Sequence, residues 1–210
     1  MQGLFLYGSG GHASVVADLV RANGQYAILG LIDDDPLLAG GERFGHRVLG
    51  DRHALTSERT DNLFLGIGDN HTRQRLSAQL AGWRFPTLIH PTAVIGENVS
   101  IGAGTAVMPF AVIEHGATIG EHCIINNGAV IGHGSRIGAY CHVSGKSALG
   151  GGVTLEPFVF VGMGAVVTPG VTVAKNCLLS AGSMTSRDIG EGATVVGNPG
   201  RPFFNRRGMG

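Results

Sequence analysis

The sequence predicts a parallel β-helix of six-residue repeats behind a small Rossmann-like α/β domain. Three observations carry that prediction: an unbroken six-residue period over residues 89–184, 36 glycines in 210 residues, and a strand–loop–helix pattern confined to residues 1–85. The first position of each hexad is aliphatic in every repeat, from Ile89, Ile95 and Ile101 through to Val167, Val173 and Leu179. The fifth position is always small, from Ala93, Val99 and Thr105 to Val171, Cys177 and Ser183. A period of six matches neither the 3.6 residues of a helical turn nor plain strand alternation. It matches a solenoid in which each hexad forms one edge of a triangular coil, with the aliphatic residue pointing inward. Residues eighteen apart then stand above one another at the strand spacing of about 4.8 Å.

Residues 1–85 contain no hexads. Leu4–Tyr7 reads as a short strand running into Gly8-Ser9-Gly10-Gly11-His12-Ala13, and Ser14 to Ala22 as a helix. A second strand, Ile28 to Ile32, ends at Asp33-Asp34-Asp35-Pro36. A third, Asn62 to Ile67, ends at Gly68-Asp69-Asn70, and Thr72 to Ala81 has helical periodicity. These elements suggest a small parallel sheet whose ligand loops sit at the carboxyl ends of its strands. Gly8-x-Gly10-x-x-Ala13 fits a pyrophosphate-binding turn, with Asp33 about twenty residues on. One half of a dinucleotide fold fits in ~85 residues, so a single nucleoside diphosphate is the expected ligand. Gly8, Ser9, Gly10, Gly11 and His12 would face its phosphates, and Asp33 or Asp34 its base or ribose. Asn70 and Arg73 are read either as further ligand contacts or as a helix cap and a surface charge.

The expected domains are 1–85, which binds the nucleotide, and 86–210, which forms the β-helix and a tail. Gly197-Asn198-Pro199-Gly200-Arg201 follows the last repeat, and Asn205–Gly210 reads as a frayed end. Formal net charge is zero, so no basic field recruits nucleic acid or an anionic membrane. No run of about 18 apolar residues is present, and the first six residues lack the marks of a signal peptide. A cytoplasmic location is expected. The three cysteines fall on the small fifth position and read as buried hydrophobes.

Nine histidines raise the question of a metal. The spacings of His115, His122, His133 and His142 lack the pair five apart that a zinc site of the hexapeptide carbonic anhydrase kind would need, so none is expected. Asn126, His133 and His142 are more informative. Together with Gly8-Ser9-Gly10-Gly11-His12, Asp33-Asp34, Gly68-Asp69-Asn70 with Arg73, and Ile89-His90-Pro91, they resemble the hexapeptide-repeat sugar acetyltransferases of the PglD/NeuD/PerB type. That resemblance covers nearly the whole chain. It implies a left-handed β-helix, a homotrimer with intersubunit sites, acetyl-CoA as co-substrate and a nucleotide-linked amino sugar as acceptor, in surface-glycan biosynthesis. It also implies that His133 is the general base and that His142 contacts the thioester carbonyl, with Asn126 beside them. Coenzyme A would lie along Gly151, Gly162, Ala181 and Gly182, with Arg201 at a phosphate. The chemistry suits these residue types: a neutral imidazole takes the proton of an attacking amine, and N–H groups stabilise the oxyanion.

One departure stands out. The family usually places an acid directly after the base, and here that residue is Gly134. The eighteen-residue column makes Glu114, one coil below Gly132, the substitute expected to orient the ring. An O-acetyltransferase acting on sialic acid or a related sugar shares fold and base. An inactive nucleotide-sugar-binding scaffold and a dehydrogenase using the glycine loop are the other readings.

Overall fold

The computed structural model describes residues 1–56 and 60–204, so the expectation for Asn205–Gly210 falls outside the described residues. The chain divides into two compact units, Met1–Pro91 and Thr92–Gly210.

The first unit is an α/β sheet. Strand β1 (Gln2–Tyr7) is followed by helix α1 (Gly11–Asn23) and strand β2 (Tyr26–Ile32). Next come β3 (Glu42–Arg43), β4 (His46–Gly50), β5 (Leu63–Leu65) and helix α2 (Asn70–Gln79). The strand order is β3-β4-β2-β1-β5. Strands β4, β2, β1 and β5 run parallel, as alternating strands and helices require. Strand β3 is antiparallel to β4 across the turn at Phe44-Gly45, where both residues have positive φ. Such a turn usually announces itself as Asn-Gly, and a phenylalanine in its first place hides it from sequence reading. Leu4, Phe5, Leu6, Val16, Leu31, Ile32, Leu63 and Phe64 form the core. The side chain of Asn23, the last residue of α1, donates to the Ile89 carbonyl at 3.1 Å, which ties that first aliphatic repeat residue to this unit.

The second unit is a parallel β-helix whose register is eighteen residues up to Thr185: Val112 pairs with Val130, Thr118 with Arg136, Ile124 with His142, and Val167 with Thr185. Two-residue strands stack into three faces. From Val107 to Leu179 every first-position residue is buried, as is every fifth-position residue from Thr105 to Ser183. The lower Ile95 and Ile101 are more exposed because their strands have a partner on one side only. Each fourth-position residue from Asn98 to Gly182 is left-handed, with φ between +52° and +76°. That conformation turns the chain at every corner, and glycine adopts it without a Cβ penalty. Where His122, Tyr140 and Phe158 occupy it, their rings stack at 5.3 and 5.4 Å, which offsets the strain. The small fifth-position donors also have a polar task. Thr105 Oγ1, Cys123 Sγ, Ser135 Oγ and Cys141 Sγ each donate to the carbonyl fifteen residues on, satisfying turn oxygens inside the prism.

The three faces differ in outward character. One presents Ser100, Thr118, Arg136, Thr154 and Thr172. Another presents Ala106, Ile124, His142, Phe160 and Leu178. The third is an apolar column of Val94, Val112, Val130, Ala148, Val166 and Met184, with Val94 60% exposed. Above the last coil, Ala193–Val196 pairs parallel with Leu178–Leu179, and Arg201–Phe204 folds back on it.

The inward column carries the fold, so Ile131→Ala should cost about 2–5 kcal/mol, measured by chemical denaturation. Thr118→Ala, on the outer polar face, should stay within about 0.5 kcal/mol.

Candidate active site

In the first unit the sequence motifs converge at the carboxyl ends of β1, β2 and β5. Gly8 has φ +105°, and a Cβ there would lie 2.9 Å from Ile67 Cδ1 and 3.1 Å from the Gly66 carbonyl oxygen, so only glycine fits. Gly10 and Gly11 are different, since a Cβ on either would meet nothing within 4 Å. Their bareness leaves the start of α1 open. That helix has no side-chain cap and no acidic residue in its first turn, whereas α2 is capped by Asp69 on the Thr72 N–H at 2.7 Å. Uncapped N–H groups at a positive dipole end are the feature that a phosphate exploits.

The acids that follow β2 hold this loop in place. Asp33 accepts from the Ser9 N–H at 2.9 Å and the Ser9 hydroxyl at 2.5 Å through one oxygen, and from the Asp35 N–H at 3.1 Å through the other. Asp34 accepts from the Tyr7 phenol at 2.6 Å and from Arg52 at 3.3 Å. Burial, and then the bond to Asp34, keep the Tyr7 phenol well above its ordinary range, so it remains a donor. Neither alternative for the next pair holds as a cap and a surface charge. Asp69 is the cap, Asn70 opens α2, and Arg73 is buried at 1% exposure. Its guanidinium donates to the carbonyls of Ile67 (3.0 Å) and Gly68 (3.2 Å) and to Asn70 Oδ1 (2.9 Å). Arg73 therefore shapes the third loop from beneath. Burial, and then the positive charge of Arg73, lower the His12 imidazole from 6.5 to about 4.

In the second unit the named residues fall on two corners flanking the apolar face. Glu114, His133 and Gly151 follow its strands, in the turns after Ile113, Ile131 and Leu149. His115, His133 and Gly151 form one column, joined by the Gly134 N–H to the His115 carbonyl (3.0 Å) and the Gly152 N–H to the His133 carbonyl (2.8 Å). The imidazole of His133 is exposed. Glu114 reaches it at the main chain, its carboxylate accepting from the His133 N–H at 2.9 Å. Gly134 has φ +65°, so the place where the family carries its acid is here a left-handed turn residue.

Asn126, Gly162, Ala181 and Gly182 lie at the other corner, in the turns that lead into the apolar face. A Cβ on Gly162 would lie 2.5 Å from the Ala181 nitrogen, so close stacking of coils demands that glycine; Gly182 takes the left-handed turn at φ +67°. The Asn126 carbonyl oxygen accepts from the Asn127 N–H at 2.8 Å, which aims its NH2 at His142 Nε2, 3.4 Å away. His142 is 9% exposed and packs edge-on to Phe160 at 4.9 Å. His133 and His142 thus stand on different sides of the prism. Arg201 is exposed on the final strand.

A six-residue β-helix with a histidine-bearing corner, joined to a nucleotide-type α/β unit, defines a class: the β-helical acyltransferases that carry an added nucleotide-binding unit. Known proteins narrow it. The PglD N-terminal domain model matches residues 3–80, and the GMPPB C-terminal domain model matches 84–180. Perosamine N-acetyltransferase from Caulobacter crescentus, solved as a histidine-to-asparagine variant with CoA and GDP-perosamine, is 36% identical with a TM-score of 0.92, covering 98% of each chain. The acetyltransferase domain of PglB from Neisseria gonorrhoeae, solved with acetyl coenzyme A, is 31% identical with a TM-score of 0.88, covering 96% of this chain and 99% of that one. UDP-N-acetylbacillosamine N-acetyltransferase of Bacillus subtilis is 35% identical over 115 residues, a match that spans 51% of this chain and about half, 52%, of that relative. The chain belongs to the hexapeptide-repeat sugar N-acetyltransferases of the PglD/PerB type.

Because folded His12 titrates near 4 and unfolded histidine near 6.5, the unfolded chain binds the extra proton between those values. Stability should therefore fall as pH drops through that window, by up to roughly 1.4 kcal/mol per pH unit, and His12→Gln should flatten the slope in a melting-temperature series.

Proposed function

We propose that this protein transfers the acetyl group of acetyl-CoA to the amine of a nucleotide-linked amino sugar, in the cytoplasm and in the service of surface-glycan assembly. The observation that carries the reading is the pairing of an uncapped, glycine-lined helix start in one unit with an exposed, main-chain-anchored imidazole in the other. The helix start of α1 takes the diphosphate, and Asp33, through Ser9, keeps the glycine loop in its receptive shape. Asp34 and Asn70 line the neighbouring loops, and Arg73 supports the last of them. His133 removes a proton as the sugar nitrogen attacks the thioester carbon. The C–S bond then breaks and the thiolate of CoA takes up a proton as it leaves. The oxyanion formed on the way is stabilised by donors from the backbone near Gly151 and from the Asn126–His142 pair. Gly162, Ala181 and Gly182 keep a coil edge narrow enough for pantetheine, and Arg201 meets a CoA phosphate.

The donors lie on the two corners that flank the apolar face, which supports a ring of three chains packed through that face. Each cleft then takes His133 and Gly151 from one subunit and Asn126 and His142 from its neighbour. The exposed valine column supports the same arrangement, since contiguous apolar surface of this kind marks an interface.

Incubating the protein with acetyl-CoA and either GDP-perosamine or a UDP-linked amino sugar should release free CoA thiol and give the N-acetylated sugar by mass spectrometry. Binding of acetyl-CoA with no acetylation of any amino sugar would sink the reading. His133→Ala should lower kcat by about 10²–10⁴-fold, measured in the same assay. For the assembly, Val130→Lys should shift the mass measured by light scattering from three chains to one and abolish turnover with it; a single-chain mass in the unaltered protein would refute the trimer.

A further inference from the structure

We propose that Gly151 is a positioning residue for the base: the space left by its missing side chain is the socket that holds the His133 imidazole. The proposal rests on the reading of His133 as the base. A Cβ on Gly151 would lie 2.6 Å from His133 Cε1 and 2.9 Å from Cδ2, and closer still to Nε2. One edge of the ring thus leans against the main chain of the next coil, with Nε2 within about 4 Å of the Gly151 Cα.

The turn itself does not ask for glycine at this place. The φ of Gly151 lies outside the left-handed region that all fourth-position residues adopt from Asn98 onward. Its counterparts at the third position of other hexads include Pro109, Glu121, Asn127, Ala139, Met163 and Lys175, so the β-helix accepts side chains there of every size. Gly145, the other glycine at a third position, would have its Cβ 3.3 Å from the Asn127 carbonyl oxygen, a tight contact with main chain and not with a ring. Only at 151 does a ring from the coil below fill the space.

The socket completes a set of restraints on residue 133. Its N–H is held by Glu114, and its carbonyl by the Gly152 N–H. Neighbouring Gly134 has no side chain with which to steer the ring. With the main chain pinned at both ends, contact with Gly151 fixes the remaining freedom, rotation about the side-chain bonds. A methyl group at 151 would turn the ring away and carry Nε2 off by an ångström or more, a displacement of the size that costs about 10²-fold in rate.

Gly151→Ala keeps the backbone N–H at 151 and removes only the space. It should lower kcat by about 10–100-fold while leaving KM for acetyl-CoA and sugar within about twofold. In the substrate-free protein labelled with 15N-histidine, it should also move the His133 ring resonances, assigned by their loss in His133→Ala. If Gly151→Ala folds poorly, adding His133→Ala should restore its melting temperature, because ring and methyl compete for one space. Unchanged ring resonances, an unchanged kcat, or a melting temperature that the second substitution does not restore would each overturn the proposal. Should the unaltered protein acetylate no amino sugar, the functional reading fails, yet the ring resonances still decide whether Gly151 seats the imidazole.

Discussion

The parallel ladder between coils is the constraint on which everything else in the second unit depends. Up to Thr185 each two-residue strand finds its partner eighteen residues away, so no coil within that span can gain or lose a residue without breaking the pairing above and below it. The left-handed residue at the fourth position makes this length achievable, because it turns the chain through each corner in the fewest residues. With the length fixed, columns follow. The environment of any residue is set by those eighteen before and after it, and a long-range contact becomes a short-range rule.

The same economy governs polar groups. A stack of turns buries many carbonyl oxygens that no strand partner reaches, and serine, threonine and cysteine at the fifth position supply donors small enough to fit beside them. The cysteines are therefore more than filler, although burial still pushes the Cys177 thiol up and keeps it unreactive. The first unit shows the complementary case. Asp35 and Asp51 cap the short 3-10 helices Pro36–Leu38 and Arg52–Ala54, and Asp69 caps α2, while α1 at the glycine loop is left without a side-chain cap. Where capping is the rule, the uncapped end is the place prepared for an outside anion.

Much of this was legible in advance because periodicity is a property of sequence. The inward column, the eighteen-residue register and the stacking of His115, His133 and Gly151 all follow from counting. What counting misses depends on where side chains reach. Arg73 looks like a surface charge because its helix is polar, yet three acceptors draw it into the core. Asp33 looks like a ligand group, yet one of its oxygens is bonded to Ser9 and the other to the Asp35 N–H. The eighteen-residue column makes Glu114 a candidate to orient the His133 ring, whereas its carboxylate meets the His133 main-chain N–H. The hairpin of β3 and β4 escaped notice because a phenylalanine occupies a turn position where asparagine is the usual signal.

The β-helix also limits where chemistry can be placed. First and fifth positions are interior, and fourth positions are left-handed. Several second positions are glycine, and a Cβ at Gly96, Gly120, Gly132 or Gly138 would press on the backbone of the next coil. Polar side chains with room to act are left to the remaining second positions, such as Glu114 and Asn126, to the third, at corners, and to the sixth, on faces. His133 holds a third position and His142 a sixth. An acid directly after His133 would occupy a fourth position and bear the strain of a left-handed conformation, whereas Gly134 bears none. Dispensing with that acid lowers the strain of the turn but removes a group that could hold the imidazole. The restraints on His133 then come from the coils below and above, from the carboxylate of Glu114 on its N–H and the bare backbone of Gly151 beside its ring, which the eighteen-residue register brings to it from either side.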